Sequence, residues 1–168
     1  MSKFIRGLFS ADLLVELSES KVAVKTLGGG AQLEYEPYLA VENTGKYNKV
    51  KGVGAEAKSL ADEVTVVVNP FSHPRLLISD FYSAEKLIQH GLRSIQKTKF
   101  FQPSPRVIMH QLDKLEGGLT HLEDRVLREL AIGSGARDVV VYLGDVLDSS
   151  NTTFDEIKRS IPNGPQGG

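Results

Sequence analysis

Apolar and polar positions along the first quarter of the chain set out two short strands lying close together. Residues 13–17 are apolar except for Glu16, and residues 22–26 again alternate or run apolar. Segments of that length and period, separated only by 18–21, predict a hairpin with a tight turn. Residues 39–42 carry a similar pattern and are expected to continue the same sheet, with Gly28, Gly29 and Gly30 as a flexible turn before them. From 43 to 79 the pattern loosens: strands are expected at 47–51 and 64–68, with a short helix at 55–61. Pro70, His73 and Pro74 then mark a loop back to the core. This stretch reads as a small insertion beside the main sheet.

The second half is more periodic. Ser83 is a plausible N-cap for a helix running to about Thr98, with Leu87, Ile88, Gly91, Leu92 and Ile95 as its apolar stripe. Pro103 and Pro105 stop that pattern ahead of a strand over Arg106–Gln111. Thr120 and Glu123 have the spacing of a capping box, in which each side chain satisfies the other's backbone amide. The helix they open is expected to bury Leu122, Val126, Leu127, Leu130 and Ala131, to end at Gly133 and Gly135, and to lead into a buried strand over 138–143. From 148 to 168 the chain reads as a polar tail that frays, with Phe154, Ile157 and Ile161 available for a short docking helix. The order of hairpin, helix, strand, helix, strand predicts an α/β domain over 13–147. Its mixed sheet would be flanked by helices, of the ribonuclease-H-like or actin-like type, with the insertion at about 43–79.

A chain of 168 residues accommodates one domain with a sizeable core. A formal net charge of −1 argues against a nucleic-acid partner, and the absence of cysteine excludes disulfides and thiolate metal sites. No apolar run reaches the length of a membrane span. Residues 1–12 form an amphipathic segment instead. Phe4, Ile5, Leu8 and Phe9 fall on one helical face with Lys3 and Arg6 beside them, and Ser10 and Asp12 break any signal-peptide pattern.

Several segments resemble one family, the bacterial actin homologue MreB. They are the N-terminal run from Met1 to Asp12, the helix that begins around Ser79-Asp80-Phe81, the strand entry Phe101-Gln-Pro-Ser-Pro-Arg106, and the segment Gly133-Ser-Gly-Ala-Arg137 with its following strand. They occur in the family's order and at similar spacing over about 140 residues. The family's polypeptide is about twice as long, so the resemblance implies only its first half, subdomains IA and IB. It also implies a cytoplasmic protein peripheral to the inner membrane. Lys3, Phe4, Ile5, Arg6, Leu8 and Phe9 would be the membrane-binding residues. The alternative is that this segment folds onto the domain's own surface.

The departures from the family fall on the chemistry. Where MreB has Asp-Leu-Gly-Thr at its first phosphate hairpin, this chain has Glu16, Leu17, Ser18 and Glu19. Glycine there lets backbone amides approach a phosphate closely; a carboxylate at Glu19 opposes it. The family's catalytic Glu-Glu-Pro is replaced by Tyr142-Leu-Gly-Asp-Val146, in which Asp145 is at most a relic. The hairpin at Glu16, Ser18 and Glu19 is therefore read as degenerate, and no catalytic residue, metal ligand or cofactor is assigned. Gly28–Gly30 lacks the Lys-Ser/Thr of a Walker loop and is read as a turn. Gly117 and Gly118 precede the helix opened by Thr120, but Thr120 already occupies one of its amides. His73, His90, His110 and His121 show no metal-ligand spacing.

The leading reading is a non-catalytic, MreB-like binding module that interacts with the actin-like cytoskeleton or the cell-shape machinery. One alternative is a structural component of another envelope assembly. Another is a residual ATPase completed by self-association, with Glu16 and Asp145 supporting magnesium. A sheet edge left bare would favour a homodimer.

Overall fold

The computed structural model describes residues 11–96 and 103–162. The expected amphipathic segment, with Lys3, Phe4, Ile5, Arg6, Leu8 and Phe9, lies outside the described residues. Eight strands occur among them: β1 (Asp12–Leu17), β2 (Val22–Thr26), β3 (Gln32–Tyr35), β4 (Leu39–Asn43), β5 (Asn48–Val53), β6 (Thr65–Val68), β7 (Arg106–Gln111) and β8 (Asp138–Tyr142). The α-helices are α1 (Phe81–Gln96), α2 (His121–Gly133) and α3 (Phe154–Ser160), and a 3-10 helix covers Ala55–Leu60.

The strands divide into two sheets. The larger has the order β3-β2-β1-β7-β8, antiparallel on the β3 side of β1 and parallel from β1 through β7 to β8. The smaller has the order β5-β4-β6 and is antiparallel throughout. The expectation that residues 39–42 extend the main sheet is thus corrected: β4 is the centre of the small sheet, and the inserted lobe begins with it. An apolar pattern specifies burial and period but not the pairing partner: Leu39 and Ala40 are fully buried as the pattern requires, but in the small sheet. β3 went unrecognised because a four-residue edge strand with alternating exposure carries little signal.

Helices α1 and α2 pack one face of the large sheet. Leu13, Val15, Leu17, Val107 and Met109 meet Leu87, Ile88, Leu92, Leu127 and Leu130, all of them buried. Asp80, not Ser83, caps α1: its carboxylate accepts the Ser83 backbone N–H at 3.2 Å and the Ser83 hydroxyl at 2.6 Å. Ser83 itself is buried in the first turn. Gly91 is needed where α1 crosses the sheet, since a Cβ there would lie 2.5 Å from Tyr35 Oη and 2.6 Å from Val24 Cγ2. The Tyr35 hydroxyl donates to the Leu87 carbonyl at 2.6 Å, and burial raises its pKa. The Thr120–Glu123 capping box forms in both directions. Leu122, expected in the core, is exposed because it falls on the outer face of α2.

The other face of the large sheet is covered by α3. Phe154 is fully buried against Leu14, Ile108 and Val140, with Ile157 and Ile161 packed beside it, so the docking helix expected within 148–168 forms and carries part of the core. A second capping box, Thr153 with Glu156, starts α3. Arg106 ties the three elements together. It forms two bonds to the Asp12 carboxylate, at 2.8 and 2.7 Å, and one to Asp155 at 2.9 Å, and its guanidinium lies 4.5 Å from the Phe154 ring centre. The paired carboxylates raise its pKa further.

Candidate functional site: a phosphate-type hairpin held by its own acids

The β1–β2 turn closes over Ser18–Lys21. Ser18 donates its N–H to the Lys21 carbonyl at 2.9 Å, and the Lys21 N–H returns to the Ser18 hydroxyl at 3.0 Å. The Glu19 amide points out of the turn, where an approaching phosphate would be met in a nucleotide-binding hairpin. Here it donates to Asp113 Oδ2 at 2.7 Å. Gln111 Nε2 holds the second oxygen of that carboxylate at 2.9 Å, so both oxygens are fixed.

The parallel pairing of β1 with β7 brings these groups together. It aligns Leu17 with Gln111, so the turn after β1 and the loop after β7 leave the sheet side by side. Lys114 follows Asp113 in that loop, in a left-handed conformation at φ 58°. Its ammonium donates to the carbonyls of Phe71 and His73 and lies 3.5 Å from the Glu19 carboxylate. The Asn69 side chain donates to the Glu19 carbonyl at 2.9 Å. The hairpin is therefore pinned from two loops, the one after β7 and the one after β6, with its outward amide occupied by an anion from its own chain. Beside it lies an open cleft of about 510 Å³, into which Glu19, Glu36 and Asp113 bring three carboxylates.

Glu16 is not at the mouth of this cleft. It is 3 % exposed and paired with Lys25 across the hairpin at 2.7 Å. It faces the sheet side that also carries His110. No hydrogen bond or ion pair joins Glu16 to Asp145, which sits in the exposed loop after β8. No group of three or more His, Cys, Asp or Glu side chains among the described residues has metal-binding geometry. His73 Nδ1 accepts two backbone amides of its own loop, and His110 Nε2 lies 3.0 Å from the Gly144 carbonyl. Gly28 and Gly29 turn between β2 and β3 at positive φ, and the Gly28 amide is taken by the Ser149 carbonyl at 2.8 Å. Gly117 and Gly118 form a turn ahead of the α2 cap, where Gly118 donates to Leu115.

The sequence reading located Glu16, Ser18 and Glu19 but missed Asp113, Lys114 and Asn69. The signal for Asp113 lay in the topology: it stands two residues beyond a strand parallel to β1.

A five-stranded mixed sheet ordered 3-2-1 antiparallel and then parallel, with a lobe inserted before the first long helix, defines an actin-like domain. No protein-family model matches the chain. The crystal structure of Spiroplasma citri MreB5 bound to AMPPNP superposes with a TM-score of 0.61 at 21 % identity, covering 79 % of this chain and 38 % of that one. The cell shape-determining protein MreB of Pasteurella multocida is 32 % identical over 142 residues, 82 % of this chain and 39 % of the relative. MreB of Escherichia coli K12 is 31 % identical over 144 residues, covering 83 % and 40 % respectively. The chain is an MreB-like protein that corresponds to the N-terminal half of that family, spanning about 39 % of the relatives' length.

Proposed function

We propose that this chain is a non-catalytic, MreB-like binding module of the cell-shape cytoskeleton that does not turn over ATP. The observation that carries this reading is the Asp113 carboxylate on the Glu19 amide, with the Glu19 carboxylate beside it. A triphosphate approaching the hairpin would have to displace Asp113 from the Glu19 amide and compete with Glu19 and Glu36 for the lysines beside them, Lys114 and Lys58. The same hairpin, rigidly held, remains suited to presenting a surface. In this reading Lys3, Phe4, Ile5, Arg6, Leu8 and Phe9 attach the module reversibly to the inner membrane, as an amphipathic segment with a cationic flank does. Its partners are MreB-type filaments or other cell-shape proteins.

Two measurements test this. Millimolar MgATP should leave the melting temperature unchanged, whereas a ligand at a hundred times its Kd would stabilise by about 2.7 kcal/mol. A clear nucleotide-dependent rise would overturn the reading of the hairpin as closed to nucleotide, and phosphate release from that ATP would overturn the non-catalytic one. The protein should also co-sediment with MreB filaments or with anionic vesicles, and vesicle binding should be lost on Phe4→Glu with Leu8→Glu. A folded protein that sediments with neither would sink the binding role.

A further inference from the structure

A second concavity shares no lining residue with the hairpin cleft. It is an open groove of about 520 Å³ between β5 and α1. Lys49 enters from β5, and Lys86 and Arg93 from α1. Among the described residues none of the three has a carboxylate partner; Lys86 donates to Gln89 at 3.3 Å and lies 5.4 Å from the Tyr82 ring. Two other lysines of the small lobe are neutralised: Lys51 pairs with Glu42, and Lys58 with Glu36. Three unneutralised cations converging on one concavity of a nearly neutral protein form a field that selects anions.

The wall of the groove narrows the class of anion. β5 is an edge strand of the small sheet. Asn43 of β4 gives its N–H to Val64 on the far side, so the residues of β5 opposite Asn43 and Val41 turn their backbone groups away from β4. These are Asn48 and Val50. The Asn48 carbonyl indeed faces α1, where it accepts from the Tyr82 hydroxyl at 3.4 Å. The N–H and carbonyl of Val50 face the same way. A strand edge of this kind hydrogen-bonds an extended backbone, which neither a free phosphate nor a lipid headgroup supplies. Tyr47, 65 % exposed at the rim, adds an apolar contact for alternate side chains.

We infer that this groove binds an acidic peptide segment of a partner protein in extended form, added as a strand along β5 with its carboxylates on Lys49, Lys86 and Arg93. The inference is independent of whether the hairpin holds nucleotide.

The test uses a fluorescein-labelled peptide of alternating glutamate and valine and the full chain, followed by anisotropy at low and at physiological salt. Binding should weaken with salt. It should also fall by about tenfold or more in the Lys49→Gln, Lys86→Gln, Arg93→Gln variant. The Lys49→Gln, Arg93→Gln pair, both exposed positions, covers the case in which the triple variant fails to fold, and should give a smaller loss in the same direction. A peptide with alternate backbone amides methylated should lose binding. Equal affinity for wild type and variants would overturn the site, and unimpaired binding of the methylated peptide would overturn strand addition. Absence of peptide binding would overturn the proposal too, including the case in which phosphatidylglycerol vesicles or self-association depend on these cations instead.

Discussion

The two faces of the large sheet are built from the same strands yet solve different problems. Odd-numbered positions of β1 point to α1 and α2, where twenty buried residues form one continuous apolar core. Even-numbered positions of β1 point the other way, where the apolar cluster has, among the described residues, four buried members: Leu14, Ile108, Val140 and Phe154. The next row on that face is polar, with Glu16 aligned on His110 and His110 on Tyr142. One face is secured by a large apolar area and the other by a smaller cluster around Phe154, rimmed by partly buried Leu27, Tyr142, Leu147, Ile157 and Ile161, and by one ion pair. The second is the more brittle arrangement, because a large apolar area is shared among many contacts whereas a small cluster centred on one ring, or a single buried charge pair, has few substitutes.

The largest expected effect comes from Phe154→Ala. Removing a fully buried ring from a four-residue cluster should cost about 3–5 kcal/mol and lower the melting temperature by on the order of 10 °C. Leu87→Ala on the crowded face should cost about 2–5 kcal/mol, with the loss spread over a larger core. Calorimetry of both variants decides the comparison. A loss below about 1 kcal/mol for Phe154→Ala would mean that α3 merely rests on the sheet, and the two faces would no longer be comparable as cores.

The polar row offers a second break. Lys25→Met leaves Glu16 buried without its cation, and should cost about 2–3 kcal/mol, below the ~3–5 of fully enclosed pairs because Lys25 retains some solvent contact. The double variant Glu16→Leu, Lys25→Met removes both charges and should return to within about 1 kcal/mol of wild type. If the single and double variants are equally unstable in denaturant titrations, the pair is not what holds this row.

The contrast also marks what could be read from the chain beforehand. The apolar runs of β1, β7 and β8 and the stripes of α1 and α2 were legible because burial on a fixed period leaves a pattern in the sequence. Glu16 stood out as the charge set within the apolar run of β1, but its partner did not: Lys25 lies diagonally across the hairpin, two places beyond the residue paired with Glu16. Asp113 was invisible for a related reason. It reaches Glu19 across 94 residues of sequence, and such contacts are set by strand order, which no local pattern encodes. Phe154 was noticed, and Thr153 with Glu156 has the same capping spacing as Thr120 with Glu123, yet the polar surroundings pointed to a tail. A seven-residue helix is marginal alone, and it persists here because its ring and the Arg106 clamp dock it on the sheet.

The smallest and most selective effect concerns pH. His110 is 1 % exposed, its Nε2 donates to the Gly144 carbonyl, and its Nδ1 has no hydrogen-bond partner in the structure. Burial is the main cause pushing its pKa below the ordinary 6.5, with Lys25 adding in the same direction, and the Gly144 bond and Glu16 opposing. The unfolded chain therefore takes up this proton more readily than the fold does. The stability that His110 contributes in its neutral form is fully present above about pH 6.5 and is lost as pH falls through 6.5 toward the lower folded-state value. His110→Gln keeps a donor for Gly144 and removes the titration. Denaturant midpoints should fall less steeply for this variant than for wild type between pH 7.5 and 5.5, with the carboxylate contributions common to both cancelling in the difference. Parallel pH profiles would show that His110 charges as easily inside the sheet as in water. The polar row would then be open to solvent, and the two faces would differ in access rather than in how they are held.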